Sequence, residues 1–181
     1  MVAWLRGLLA AIAALTLGGT GMAADAENTL YMDVPFGRVV IEMRPDLAPN
    51  HCAQIKALAR RGFYDGVVFH RVIEGFMVQT GDPTGTGTGG SGHQLRSEFS
   101  SEKHVRGTAS MARASDPNSA DSQFFIMFAP SPSLDNQYTV WGQVTEGMEN
   151  VDKIKRGEPV SDPDRIISAK MAADIPGISD Q

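Results

Sequence analysis

From Thr29 onward apolar and polar positions alternate: Leu30, Met32 and Val34 fall on one side of the chain, Tyr31 and Asp33 on the other. After Pro35-Phe36-Gly37 the alternation resumes, with Val39, Ile41 and Met43 set against Val40, Glu42 and Arg44. Period two on both sides of a Pro/Gly turn predicts a β-hairpin. Beyond Pro45 the period changes. Cys52, Ile55, Leu58 and Ala59 recur at helical spacing, Pro49 suits a first turn, Arg60 and Arg61 suit the dipole of a last turn, and Gly62 ends the helix. Short strand-like runs follow at VVFHRVI (67–73), FMVQT (76–80), TASMA (108–112), SQFFIMF (122–128) and TVWGQV (139–144), separated by Gly, Pro, Asp, Asn and Ser. A second helix fits residues 148–156, with Met148, Val151 and Ile154 on one face, and RIISAKM (165–171) supplies a late strand. Many short strands predict a barrel or sandwich. The end of the chain, 175–181, reads as a flexible tail.

A chain of 181 residues, 42% hydrophobic and 20% charged, suits one soluble domain with a real core; residues 28–174 are expected to form it. The first 23 residues depart from that average. Arg6 is followed by an uncharged apolar stretch and then by Gly21-Met22-Ala23, with small residues at the outer positions. This is the form of a secretory signal cleaved near Ala23. The strongly apolar part, 8–17, is half of the ~20 residues that a spanning helix needs, so no lasting membrane insertion is expected. The expected location is periplasmic or secreted. Without Arg6 the chain has 15 basic against 21 acidic residues, which argues against nucleic acid as a partner. The single cysteine, Cys52, rules out an internal disulfide and is expected to pack as a small buried hydrophobe.

The sequence carries no clear pattern for bond-making chemistry. Gly85, Gly87 and Gly90 satisfy G-x-G-x-x-G, but no βαβ pattern surrounds them, so residues 84–92 (TGTGTGGSG) read as flexible surface loop. The four histidines show no metal-ligand spacing, and no metal or other cofactor is expected. Ser110 in GTASMA lacks the glycines of a nucleophile elbow. Cys52 and His51, adjacent on a helix, point about 100° apart.

Two segments remain, FHRVIEGFMVQTGDPTGTGTGG (69–90) and GTASMARASDPNSADSQFFIMFAPSPSLDNQYTVWGQV (107–144). Together they resemble the cyclophilins, the peptidyl-prolyl cis-trans isomerase family, and in particular its exported bacterial members. The resemblance runs from the hairpin at Leu30 past VWGQV into the following helix. It implies a mainly β fold, a closed eight-stranded antiparallel β-barrel capped by two α-helices, with a filled interior and the peptide site on the outer surface. It implies an enzyme that accelerates X-Pro rotation in proline-containing, unfolded or exported polypeptides, acting as a monomer without cofactor.

By the same resemblance Arg71 and Gln79 are the catalytic pair. Arg71 donates toward the proline amide, and Gln79 orients it. Gln123 is a second polar contact; Phe76, Met77, Phe125 and Leu134 form an apolar floor; the backbone at Ala112 and Arg113 pairs with the peptide; Tyr138 completes the wall. Strand alternation turns His70 away from Arg71, as a structural, hydrogen-bonded histidine. Four positions depart from the common pattern. Ser133 stands where many relatives have a tryptophan associated with cyclosporin binding, so strong inhibition by that drug is not expected. Tyr138 replaces histidine, Glu74 proline, and Arg113 asparagine. Two competing readings are a proline-peptide-binding chaperone or scaffold module with little turnover, and a lipocalin-like carrier with a ligand inside the barrel. Alone, Arg71 would read as a surface residue paired with Glu42 or Glu74.

Overall fold

The alternation from Thr29 becomes an antiparallel hairpin, β1 (Thr29–Val34) and β2 (Gly37–Met43), in register from Thr29 opposite Glu42 to Val34 opposite Gly37. Its apolar positions are buried, while Asp33 and Arg38 form an ion pair of 2.8 Å on the other face. The structure is a computed structural model that describes residues 25–177. The expected signal segment lies outside the described residues, as do positions 178–181 of the expected tail.

Helix α1 (Pro49–Arg60) buries Cys52, Ile55, Leu58 and Ala59, the stripe the spacing predicts, and His51 beside them. Its first turn has no capping side chain of its own, because the residue before it is Ala48. Glu98, from a distant loop, accepts the amides of Asn50 and His51, both at 3.1 Å, and takes the place of a local cap. Cys52 is buried as expected, and burial pushes its thiol up to about 11, so it stays protonated.

The remaining strands are β3 (Arg71–Ile73), β4 (Met77–Thr80), β5 (Thr108–Met111), β6 (Phe124–Met127), β7 (Val140–Glu146) and β8 (Ser168–Met171). Among the described residues all eight form one antiparallel sheet, ordered β3-β4-β6-β5-β7-β2-β1-β8, which curls into a half-barrel. The expected closed barrel is corrected here: the edge strands β3 and β8 do not pair with each other. Irregular chain spans the gap. Residues 157–167 run beside 66–72, with Phe69 N–H donating to Asp164 O at 2.9 Å and Ile166 N–H to Val67 O at 2.9 Å, and Ile167 N–H donating across to Asp33 O at 2.8 Å. For the same reason the run at 67–73 is a strand only from Arg71. Its first half pairs with this irregular segment.

The second helix is also shorter than its pattern, α2 (Met148–Val151). Val151 and Ile154 are both buried, but the chain reaches Ile154 through tighter turns, Lys153 N–H to Asn150 O and Ile154 N–H to Val151 O. One turn of helix is enough to seat the apolar face.

The pleat creates two separate apolar clusters on opposite faces of the sheet. The inner one, including Leu30, Met32, Ile41, Tyr64, Phe69, Phe124, Ile126 and Trp141, fills the half-barrel with side chains. A carrier's internal ligand has no place among them. The outer cluster is Met77, Phe125 and Met127, with Ile73, Phe76, Ala112, Leu134 and Tyr138 packed against it.

Candidate active site

Neighbouring strands carry Arg71 opposite Gln79 and Gln79 opposite Phe125, so these three side chains stand in a row on the outer face. Around them lies a hollow of about 110 Å³ lined by Arg71, Phe76, Met77, Gln79, Ala112, Arg113, Phe125, Leu134 and Tyr138. The site residues named from the sequence thus converge, apart from Gln123. Gln123 lines a second, adjoining hollow of about 400 Å³ with Gln79, Ala112, Arg113, Asp121 and the glycine-rich loop.

The floor is apolar and dense. Met77 is 1% and Phe125 5% exposed, and the Phe125 and Tyr138 rings meet edge to face with centroids 5.8 Å apart. Leu134 reaches the hollow from a 3-10 turn, Pro132–Leu134, in which Ser133 leaves the rim without a large side chain.

Polar groups are few and linked. Arg71 Nη1 donates to Gln79 Oε1 at 3.4 Å, Gln79 Nε2 to Gln123 Oε1 at 3.0 Å, and Gln123 Nε2 to the carbonyls of Gly87 and Gly89 at 3.1 and 2.8 Å. Gln79 therefore does hold Arg71, by a long bond. Gln123 chiefly ties Gln79 to the loop. Arg71 is not paired with Glu42 or Glu74; its Nε donates to Glu158 at 2.5 Å, a partner 87 positions away that no local pattern reveals.

Two other site residues make further contacts. The amide of Ala112 already donates to Gln123 O at 3.0 Å, so a peptide pairing there would use the carbonyl. Arg113 contributes more than backbone: its guanidinium lies 4.6 Å over the Tyr138 ring and donates to the carbonyls of Gln137 and Ala114. Two departures from the common pattern are in contact, and the arginine holds the tyrosine at the wall.

His70 is buried, and against the expectation of a hydrogen-bonded ring neither ring nitrogen has a partner in the protein among the described residues. Burial lowers its pKa, opposed by the charge of Asp82, and the ring lies beside the Gly87 backbone. Sequence reasoning also missed the support behind Phe125. There buried His104 stacks on the ring at 6.2 Å and bridges Asp135 (Nδ1 to Oδ1, 3.2 Å) and Ser110 (Nε2 to Oγ, 3.0 Å).

The glycine-rich loop, read from composition as flexible, is stitched to two carboxylates. Asp82 accepts from the amides of Thr84, Gly87 and Gly89, and Asp121 from those of Ser91, Gly92 and His93. A Cβ at Gly89 would come within 2.1 Å of Asp82 Oδ1, so this approach requires glycine. Among the described residues no group of three or more His, Cys, Asp or Glu is placed to hold a metal ion.

An apolar hollow edged by the guanidinium groups of Arg71 and Arg113 and the side-chain amide of Gln79 offers a grip for a small ring and donors for an amide beside it. The family model for cyclophilin type peptidyl-prolyl cis-trans isomerases matches residues 29–171. A protein of Brucella suis biovar 1 named "Probable peptidyl-prolyl cis-trans isomerase" is 51% identical over 96% of this chain and 99% of its own. The rat protein named "Peptidyl-prolyl cis-trans isomerase-like 3" is 46% identical over 71% of this chain and 81% of its own. Among solved structures, cyclophilin AquaCyp293 from Hirschia baltica superimposes with a TM-score of 0.78 at 32% identity, covering 84% of this chain and 76% of that one. A Cryptosporidium parvum cyclophilin type isomerase, crystallised in the presence of the dipeptide Ala-Pro, gives 0.73 at 31% identity, over 79% of this chain and 98% of that one. With its eight-stranded half-barrel and this outer-face hollow, the chain belongs to the cyclophilin-type peptidyl-prolyl cis-trans isomerases.

Proposed function

We propose that this isomerase works on X-Pro bonds of polypeptides folding outside the cytoplasm, with the proline ring in the 110 Å³ hollow and Arg71 at its imide. The observation that carries the reading is the convergence of Arg71 and Gln79 on the rim of a floor made by Phe76, Met77, Phe125 and Leu134. The Ala-Pro dipeptide in the presence of which the Cryptosporidium relative was crystallised supports a proline-containing ligand.

Rotation about the imide faces ~18 to 20 kcal/mol because resonance shares the nitrogen lone pair with the carbonyl. Uncatalysed exchange takes tens to hundreds of seconds. No covalent bond is made or broken, so the protein has only to favour the twisted amide over the planar one. Twisting localises the lone pair on nitrogen. A guanidinium N–H facing that nitrogen gains strength as the bond turns, and a donor stronger in the transition state than in the ground state accelerates the step. The apolar floor holds the ring still while the acyl side rotates, and the larger hollow beside Gln123 and Asp121 takes flanking residues. The enzyme acts as a monomer after removal of residues 1–23, in the periplasm or outside the cell.

Exchange NMR or a protease-coupled assay on a proline peptide tests the activity. Cis-trans rates that are equal with and without the protein would leave only a peptide-holding module. Sequencing the N-terminus of the protein from fractionated cells tests the location: a chain starting near residue 24 in the soluble extracytoplasmic fraction is expected, and an intact Met1 in the membrane pellet would refute it.

A further inference from the structure

Arg71 has a long side chain, partly exposed, and the reaction needs its donors aimed at one bond. Gln79 constrains it on one side by a long contact. On the other side Glu158 Oε1 accepts the Nε–H at 2.5 Å, while Nη2 has no partner in the protein among the described residues.

Glu158 is delivered by backbone bound to the same strand. Val72 and Gly157 exchange two N–H to O bonds, both 2.8 Å, and Val160 N–H donates to His70 O at 3.1 Å. Gly157 sits at φ +155°, where a Cβ would lie 2.7 Å from Pro159 O and from Val160 Cα, so the turn that presents Glu158 requires glycine. Just before it Arg156 pairs with Glu74 at 2.5 Å and lies 4.3 Å over the Phe128 ring, fixing the segment to the β3–β4 turn. The Arg71 and Glu158 side chains are 38% and 56% exposed, and an ion pair so placed adds little to folding stability. Its consequence lies in where the guanidinium is held.

We propose that Glu158 is a positioning residue for the isomerase reaction: its carboxylate holds the Nε–H of Arg71, so that the free Nη2 donors meet the twisting imide. This rests on the role given to Arg71 above. A carboxylate that binds the outer edge of the fork removes rotamers that would carry the donors away, and leaves the inner edge to the substrate.

Kinetics by exchange NMR on a proline peptide, run on wild type, Glu158→Ala, Glu158→Gln, Arg71→Ala and the Glu158→Ala/Arg71→Ala pair, test it together with the Arg71 Nε–Hε resonance. Glu158→Ala should lower kcat roughly ten- to a hundredfold, as expected for a displaced reacting group, with KM and Tm close to wild type. Glu158→Gln, which still accepts the Nε–H, should recover part of kcat, and hydrogen exchange at Nε should quicken in the alanine variant only. Adding Glu158→Ala to Arg71→Ala should cost nothing further. Wild-type kcat in Glu158→Ala, a rise in kcat, or the same loss in the Arg71→Ala background would each overturn the inference. A fully active Arg71→Ala would instead overturn the role of Arg71 itself.

Discussion

At Arg71 the charge and the shape of the side chain make separable contributions. Arg71→Ala should slow isomerisation by about two to three orders of magnitude, the usual loss of one transition-state donor, while weak peptide binding and the fold persist. Arg71→Lys keeps the charge but not the fork that reaches Glu158 and Gln79 together, so it should recover little rate. Exchange NMR on both variants checks this, and a lysine enzyme near wild-type rate would reduce the guanidinium to a point charge. Arg71 and Gln79 were legible through the family resemblance of the motif that holds both, and the β3–β4 register sets them opposite each other. Glu158 and His104 were not, because nothing local to either marks a partner across the fold. The stacking of Arg113 on Tyr138 was hidden for a related reason: the ring lies 25 positions on and becomes a neighbour only after folding.

At the scale of elements, β6 shows how one strand serves two purposes. Phe124 and Phe125 are adjacent and both buried, yet the first belongs to the inner cluster and the second to the outer. Phe124→Ala should cost about 3 to 5 kcal/mol of stability. Phe125→Ala should cost less and should mainly raise KM, a contrast that urea unfolding and steady-state kinetics together would reveal. The glycine-rich loop is a second case. Burial alone would raise the pKa of Asp82, but the Thr84 hydroxyl and the amides of Thr84, Gly89 and Gly87 outweigh it and hold the carboxyl down at about 2. Asp82→Asn should therefore loosen residues 84–90, with faster amide exchange there and a loss of about 1 to 3 kcal/mol. The loop also carries the carbonyls that anchor Gln123, so kcat/KM should fall as well. Composition could show that this segment was glycine-rich. It could not show that the neighbouring Asp82 and the distant Asp121 gather its amides.

For the molecule as a whole, buried histidines set the response to acid. Burial keeps His70 and His104 below the ordinary histidine value, with nearby Asp82 and Asp135 respectively pulling the other way. The unfolded chain takes up these protons near pH 6.5 and the folded chain only at lower pH, so the unfolded state binds more protons as pH falls. Tm should be level from pH 8 to 7 and fall below about 6.5, and a second loss should begin below about pH 4 as Asp82 is drawn toward its proton. Thermal melts between pH 8 and 3 check both ranges, and a Tm that rose on acidification would contradict the sign. Periodicity alone, two in the strands and helical after Pro45, determined the hairpin and the α1 stripe, because these depend on bond geometry between near neighbours. The motifs in their order determined the family and most of the residues around the hollow. Only the tertiary structure decided that the sheet stays open between β3 and β8, that α2 stops after one turn, that Glu98 caps α1, and that Glu158 holds Arg71. Each of these depends on which groups distant in sequence, backbone or side chain, come within reach of each other, and that is resolved by packing rather than by any local spacing.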